Sequence, residues 1–272
     1  MDEALSDMTM HLTNYAINKN ELNYVQNKNA EMDSVGHKRS VKYTLKFLDR
    51  THGKDKDFLM DQIKELIVKT LICAQPHLKS EFELLQHEDY ENSMCFHILG
   101  FDVMLDHKCK PFLLEVNHSP SFTTDTKLDE KVKGTVIRDA LQIIGLTKKR
   151  KQKHKQNAEA FDEIKRRTGK TPQLSEKQRE EFREEFEKIR HEFELSKLGP
   201  DNSFEMIFPS DDPTLQQKYS TILETATKVY QNAKTEEKIS VFQKIRSNKS
   251  LVNPQPQHVH KPTKAATGTV KK

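Results

Sequence analysis

The sequence is poor in the features that mark several large protein classes. Glycine occurs eight times in 272 residues and never in the clustered spacing of a phosphate-binding loop. The three cysteines, Cys73, Cys95 and Cys109, are odd in number and lack C-x-x-C spacing. That argues against a disulfide framework and a cysteine zinc site, and it fits a reducing cytosol. No apolar run approaches the roughly 20 residues needed to cross a bilayer. The opening MDEALSDMTM carries acidic residues but no basic stretch, so it does not read as a secretory signal. No internal repeat of fixed period is visible.

Hydrophobic residues are 34% and charged residues 32%, a low apolar fraction for one compact globule of this length, and one or two domains are expected. The charge is uneven. Residues 1–146 hold 18 basic and 23 acidic side chains, a net of −5, whereas residues 147–272 hold 27 and 18, a net of +9. The basic half calls for an acidic partner: a nucleic acid, an anionic membrane or an acidic protein surface.

Periodicity sets the elements. The segment Met10–Lys19 precedes an Asn-rich, loop-like stretch reaching Arg39. Asp57 to Gln75 reads as a helix with Phe58, Leu59, Ile63, Leu66, Ile67 and Val68 on its apolar side, ended by Pro76. Residues 94–116 hold two short apolar runs joined by DHKCK, which read as a β-hairpin covered on both faces. A Ser/Pro loop follows at Ser119–Phe122. Thr126-x-x-Asp129 then opens a helix, with Leu128, Val132, Ile137, Leu141 and Ile144 as its stripe and Gly145 at its C-cap.

The second half begins with a basic run, KKRKQKHK. Ser175-x-x-Gln178 is a capping box, and Phe182, Phe186, Ile189 and Phe193 recur at spacings of four, three and four on one helical face until Gly199-Pro200. Asp212-Pro213 opens another helix with Leu215, Tyr219, Ile222, Ala226 and Val229 as its stripe. From about Arg246 the composition is that of a disordered tail.

The hairpin carries the chemistry. Asp102 lies on the first strand, and Glu115 and Asn117 end the second, on a common face because strand side chains alternate. Two carboxylates and an amide oxygen are hard ligands, suited to Mg²⁺ that completes its shell with water and phosphate oxygens. A solvated strand edge competes for either carboxylate taken singly. Two carboxylates among Phe101, Val103, Leu114 and Val116, however, are costly to bury without a partner.

These residues carry a resemblance. HLTNYAINK from His11 to Lys19, GFD from Gly100 to Asp102, LLEVNHSPSF from Leu113 to Phe122 and TDTKLDEKVK from Thr124 to Lys133 resemble the tubulin–tyrosine ligase-like family, in its polyglutamylase branch. The resemblance implies an α+β fold: the C-terminal part of an ATP-grasp ligase domain over residues 1–146, with its upstream half missing. Residues 147–245 would be a helical cationic microtubule-binding region and 246–272 a disordered tail. It implies ATP-dependent ligation of L-glutamate onto glutamate side chains of tubulin tails through an acyl-phosphate.

The resemblance further implies Asp102, Glu115 and Asn117 as Mg²⁺ ligands, with Glu115 and Asn117 catalytic. Thr13 and Asn14 would lie at ATP. Tyr15, Ala16, Lys38 and Lys133 would lie at the incoming glutamate, and His118 at the acceptor chain. Ala16 stands where the family has serine, so no hydroxyl is offered there. Lys148, Lys149, Arg150, Lys151, Lys153 and Lys155 would grip the acidic microtubule surface. Aromatics in that half sit on apolar stripes rather than among the lysines, so no stacking platform for nucleic acid is seen. The implied setting is a cytoplasmic, cytoskeletal monomer, off the membrane, at a ciliary axoneme or basal body. A non-catalytic microtubule-binding fragment and a sister ligase adding glycine or tyrosine remain as alternatives. Without its upstream half the hairpin would leave apolar surface uncovered, and poor stability in isolation is expected.

Overall fold

The computed structural model describes residues 15–29, 34–85, 95–145, 147–169 and 175–252. Within them the elements run α1 (Tyr15–Asn18), α2 (Val41–His52), α3 (Lys56–Leu85), β1 (Gly100–Leu105), β2 (Pro111–Asn117), α4 (Lys127–Ile144), α5 (Lys148–Thr168), α6 (Glu176–Leu195) and α7 (Pro213–Val252). The architecture is helical, with one antiparallel two-stranded sheet. The described residues divide into two units between Leu223 and Glu224, a point inside α7.

Local chemistry accounts for most helix ends. Ser40 caps α2 by accepting from the Tyr43 amide at 3.0 Å, and Gly53 closes it in the left-handed conformation, φ 60°. Periodicity assigns no element to this segment, and its two caps were the signal for the helix. Both capping boxes form as expected, Thr126 with Asp129 and Ser175 with Gln178. Gly145 ends α4 at φ 64°, and a Cβ there would collide with the Phe193 ring of α6.

Two small cores hold the first unit. Leu45 of α2, Leu59 of α3 and Cys109 of the hairpin turn form one, with Leu48 and Met60 against it. Val68 and Ile72 of α3 pack on Tyr219 of α7, which is only 2% exposed, with Ile207, Leu215 and Ile222 around them. Burying an aliphatic side chain of this size stabilises by roughly 1.5–3 kcal/mol. Two ion pairs, Lys64–Glu205 and Lys218–Glu65, run alongside the second core.

Several expectations are corrected. Pro76 does not end its helix; α3 continues through it to Leu85. The proline ring fixes a φ that is itself helical, so the loss is one hydrogen bond and some straightness rather than the helix. The hairpin is not covered on both faces: Met104, Phe112 and Leu114 are exposed. The buried side of α4 is not the full apolar stripe. It holds Leu128 and Ala140 together with Asp129 and Asp139, while Val132, Ile137 and Leu141 are exposed. Partner geometry outweighs hydropathy there, because each buried aspartate has ion-pair and hydrogen-bond partners. The basic run, in the stretch expected to be helical, is the first part of helix α5 and is not among these corrections. Helix α7 extends to Val252, past Arg246, and the remaining tail lies outside the described residues.

Candidate functional site

The hairpin register decides what faces what. Gly100 pairs with Asn117, Phe101 with Val116 and Asp102 with Glu115, whereas Val103 pairs with Leu113. Leu114 is therefore an extra residue, a β-bulge. Continued from Val103–Leu113 without the bulge, the ladder would set Leu114 opposite Asp102 and turn Glu115 to the other face. The bulge thus brings the second carboxylate onto the face of the first. Asn117 shares that face and donates its Nδ2 to Glu115 Oε1 at 3.1 Å.

The pair is electrostatically uncomfortable alone. Partial burial, then the Glu115 charge and a shared hydrogen bond, push the Asp102 carboxyl above the usual aspartate range. A cation between the carboxylates would offset this repulsion. Among the described residues no three His, Cys, Asp or Glu side chains converge as a metal cluster. The donor set here is two carboxylates and an amide. That matches a hard cation keeping several water or phosphate ligands, as Mg²⁺ does, and does not match zinc.

A second cluster lies at the start of α4. Lys38 Nζ sits 2.6 Å from Asp129 Oδ1, with the lysine side chain 32% and the aspartate 4% exposed. The same Nζ lies over the Tyr15 ring, 4.2 Å from its centroid. Asp129 also accepts from Thr126 Oγ1 at 2.8 Å and from the Thr126 amide at 3.1 Å. Burial alone would raise the Asp129 carboxyl; the Lys38 and Thr126 hydrogen bonds outweigh it and hold it below the ordinary range. Lys133 donates to the Thr123 carbonyl at 2.6 Å. Tyr15 packs edge-on to Tyr24, and Tyr24 stacks on His37. His37 Nδ1 accepts the Val25 amide at 2.9 Å, which ties the strand of chain before Lys38 in place. Burial and a hydrogen bond to Asp125 raise the Tyr15 phenol.

Tyr15 and Lys38 thus meet Asp129 near the start of α4, the helix that also carries Lys133. The segment from Asn117 to Asp125 joins this cluster to the carboxylate pair. Ala16 lies in α1, and its side chain is outside the described set; Thr13 and Asn14 lie outside the described residues. His118 is exposed and its carbonyl accepts from His97 Nε2 at 2.6 Å. Lys148, Lys151 and Lys155 are exposed on α5, at helical spacings of three and four, and Lys155 pairs with Glu159. Lys149, Arg150 and Lys153 also belong to α5, with side chains outside the described set.

Residue patterns alone missed the roles of Asp129, Asp125, Tyr24 and His37. Asp129 reads as a helix-capping side chain, which it is, and nothing in its spacing announces the Lys38 partner.

The site thus holds two facing carboxylates with an amide and, at the start of α4, the Lys38 and Lys133 ammonium groups. The Tubulin-tyrosine ligase family profile matches residues 2–153, more than half of the chain, and the chain belongs to that family. It is 39% identical over 227 residues to the "Probable beta-tubulin polyglutamylase" of Tetrahymena thermophila, covering 84% of this chain and 19% of that protein. It is 36% identical over 249 residues to tubulin polyglutamylase TTLL7 of Xenopus tropicalis, covering 83% and 26%. It is 46% identical over 142 residues to tubulin polyglutamylase TTLL6 of Mus musculus, covering 52% and 16%. The chain thus spans about a sixth to a quarter of the length of these relatives.

Proposed function

We propose that this chain takes part in tubulin polyglutamylation, as the C-terminal part of an ATP-grasp ligase domain over 1–146 followed by a microtubule-binding helical region over 147–245 and a tail over 246–272. The observation that carries the reading is the bulged hairpin that sets Asp102 opposite Glu115 with Asn117 beside them. Family membership and the names of the relatives support the substrate class.

The reaction is an ATP-dependent amide ligation. The γ-phosphoryl group of ATP passes to a glutamate side-chain carboxylate of tubulin and ADP leaves. The amine of free L-glutamate then attacks the acyl carbon, an amide bond forms, and phosphate and a proton depart. Asp102, Glu115 and Asn117 would hold Mg²⁺, which when bound neutralises phosphate charge. The chain's own residues do the rest of the positioning. Asp129 and the Tyr15 ring fix the Lys38 ammonium, which keeps free N–H donors for a carboxylate of the incoming glutamate. Lys133, held by the Thr123 carbonyl, offers a second ammonium. A smaller or uncharged side chain on the incoming amino acid would leave one of them unused, which favours glutamate over glycine. Thr13 and Asn14 would meet ATP, Ala16 would line the amino-acid pocket and His118 would meet the acceptor. The exposed Lys148, Lys151 and Lys155 face of α5, with Lys149, Arg150 and Lys153 on the same helix, would grip acidic tubulin. The working place would be the cytoskeleton, including the ciliary axoneme or basal body. Among the described residues no helix is long and apolar enough to cross a membrane.

The test is incorporation of labelled glutamate into microtubules by the purified chain with Mg·ATP, with Glu115→Gln as control. Incorporation that the variant loses supports the ligase reading. No incorporation, with salt-sensitive co-sedimentation that Glu115→Gln retains and charge reversal on α5 abolishes, would leave a non-catalytic microtubule-binding fragment instead.

A further inference from the structure

The carboxylate pair occupies one end of an exposed hairpin face. Met104 lies two residues beyond Asp102 on β1 and pairs with Phe112, so both apolar side chains continue that face, and both are exposed. Lys110 reaches back over the Phe112 ring, its Nζ 5.1 Å from the centroid. Lys110 is also a wall of a cavity of about 260 Å³ between the hairpin turn and the α2–α3 junction. Lys54 and Lys108 are its other cations, and Phe58, Leu59 and Cys109 supply apolar surface. Phe58 is 60% exposed, more than a helix face packed in a core would leave.

Cations outnumber carboxylates here. Lys54, Lys108 and Lys110 make no ion pair with any described residue. Two carboxylates lie near them, Asp55 in the cavity wall and Asp106 beside Lys108. Each turns one oxygen to backbone amides, Asp55 to those of Asp57 and Phe58 and Asp106 to those of Lys108 and Lys110. Three ammonium groups around an apolar pocket fit a carboxylate on an aliphatic stem. Asp106 follows Asp102 by four positions, about 13 Å along a strand, which an extended peptide covers in about four residues.

We propose that the Asp102–Met104–Phe112 face is a track for an extended acidic peptide, and that Lys54, Lys108 and Lys110 hold a glutamate side chain of that peptide about four residues from the one at the carboxylate pair. The track rests on the ligase reading for its active end, but its lysine end binds peptide whether or not ligation occurs.

Fluorescence anisotropy of a labelled oligoglutamate on the full chain tests it. Saturable, salt-sensitive binding is expected, weakened about tenfold by joint Lys54→Gln, Lys108→Gln and Lys110→Gln substitution. Joint replacement by arginine should restore it. Circular dichroism melts monitor folding, and Lys108→Gln alone, in an exposed turn, serves if the triple variant melts early. Unchanged affinity in the glutamine variants, made alongside Lys148→Gln, Lys151→Gln and Lys155→Gln so that α5 does not hold the probe, overturns the track. Equal competition by duplex DNA of matched charge overturns the peptide assignment. Glutamate incorporation measured on the same samples separates the two ideas. Binding without incorporation counts against the ligase reading alone, and incorporation with lysine-independent binding counts against the track alone.

Discussion

Residues 100–145 and residues 147–195 of this protein use charge in opposite ways. In the hairpin and α4, charges are fixed by contacts that reach beyond their own element: Asp102 faces Glu115 across the hairpin, Asp129 meets Lys38, and the fully buried Asp139 accepts from the Ser203 amide and hydroxyl at 2.8 and 2.6 Å, with the adjacent Arg138 beside it. In α5 and α6, charges pair with their own helix one turn away, as in Lys155–Glu159, Arg167–Glu163 and Lys177–Glu181. Such pairs contribute a few tenths of a kcal/mol each and leave the helix surface available. The first region invests its charge in fixed geometry; the second presents charge to solvent and to whatever binds there.

Substitutions can break this contrast, and the largest effect is expected at Asp129. Asp129→Ala removes the Lys38 partner and half of the capping box, and should destabilise by about 2–3 kcal/mol in urea melts. The figure lies at the low end for a broken buried pair because Lys38 can turn toward water. A loss no larger than that of Glu159→Ala on α5 would erase the distinction between the regions.

Gly145→Ala comes next, at about 1–2 kcal/mol from the left-handed backbone alone, with the Phe193 clash added. Combining it with Phe193→Ala should relieve the clash and leave the backbone strain, a non-additivity visible in a double-mutant cycle.

Acid titration sharpens the comparison further. Arg138 and Ser203 hold the Asp139 carboxyl down at about 2. A depressed folded-state value means stability that is present above the unfolded value near 3.9 and is lost as pH falls toward 2. Asp139→Asn should flatten that part of the stability–pH curve, as read from melts across that pH range.

At the carboxylate pair the sign reverses. The raised Asp102 carboxyl disfavours the metal-free fold once pH passes the ordinary aspartate range. Glu115→Gln should therefore slightly raise the melting temperature without Mg²⁺ and remove any increase that Mg²⁺ brings. An unchanged Mg²⁺ response in that variant would rule out the hairpin as the cation site. The smallest stability effect belongs to Lys148→Glu with Lys151→Glu and Lys155→Glu on α5, within about 0.5 kcal/mol per position. The same change should abolish salt-sensitive microtubule co-sedimentation.

Much of this was legible in the residues. Capping boxes at Thr126 and Ser175, the αL glycine at Gly145 and the proline start of α7 are local, so their chemistry is complete within a few residues of sequence. The hairpin and the common face of Glu115 and Asn117 follow from alternation. The bulge at Leu114 does not, since an extra residue leaves the same alternating string whether or not it is accommodated. The continuation of α3 through Pro76 was hidden because a local rule met a long helix anchored upstream of the proline by buried Leu59, Val68 and Ile72.

The sequence by itself determined the capped helix ends at Thr126, Gly145 and Ser175, the two strands and the place of both carboxylates on them, because each depends on residues a few positions apart. Only the tertiary structure decided that Asp102 faces Glu115 across a bulge, that Lys38 is anchored by a buried Asp129, and that a helix stripe with Val132 and Leu141 stays exposed while Asp139 goes inside. The reason is that burial and ion pairing depend on what arrives from far along the chain, and a carboxylate that finds two donors can displace an aliphatic side chain from the interior.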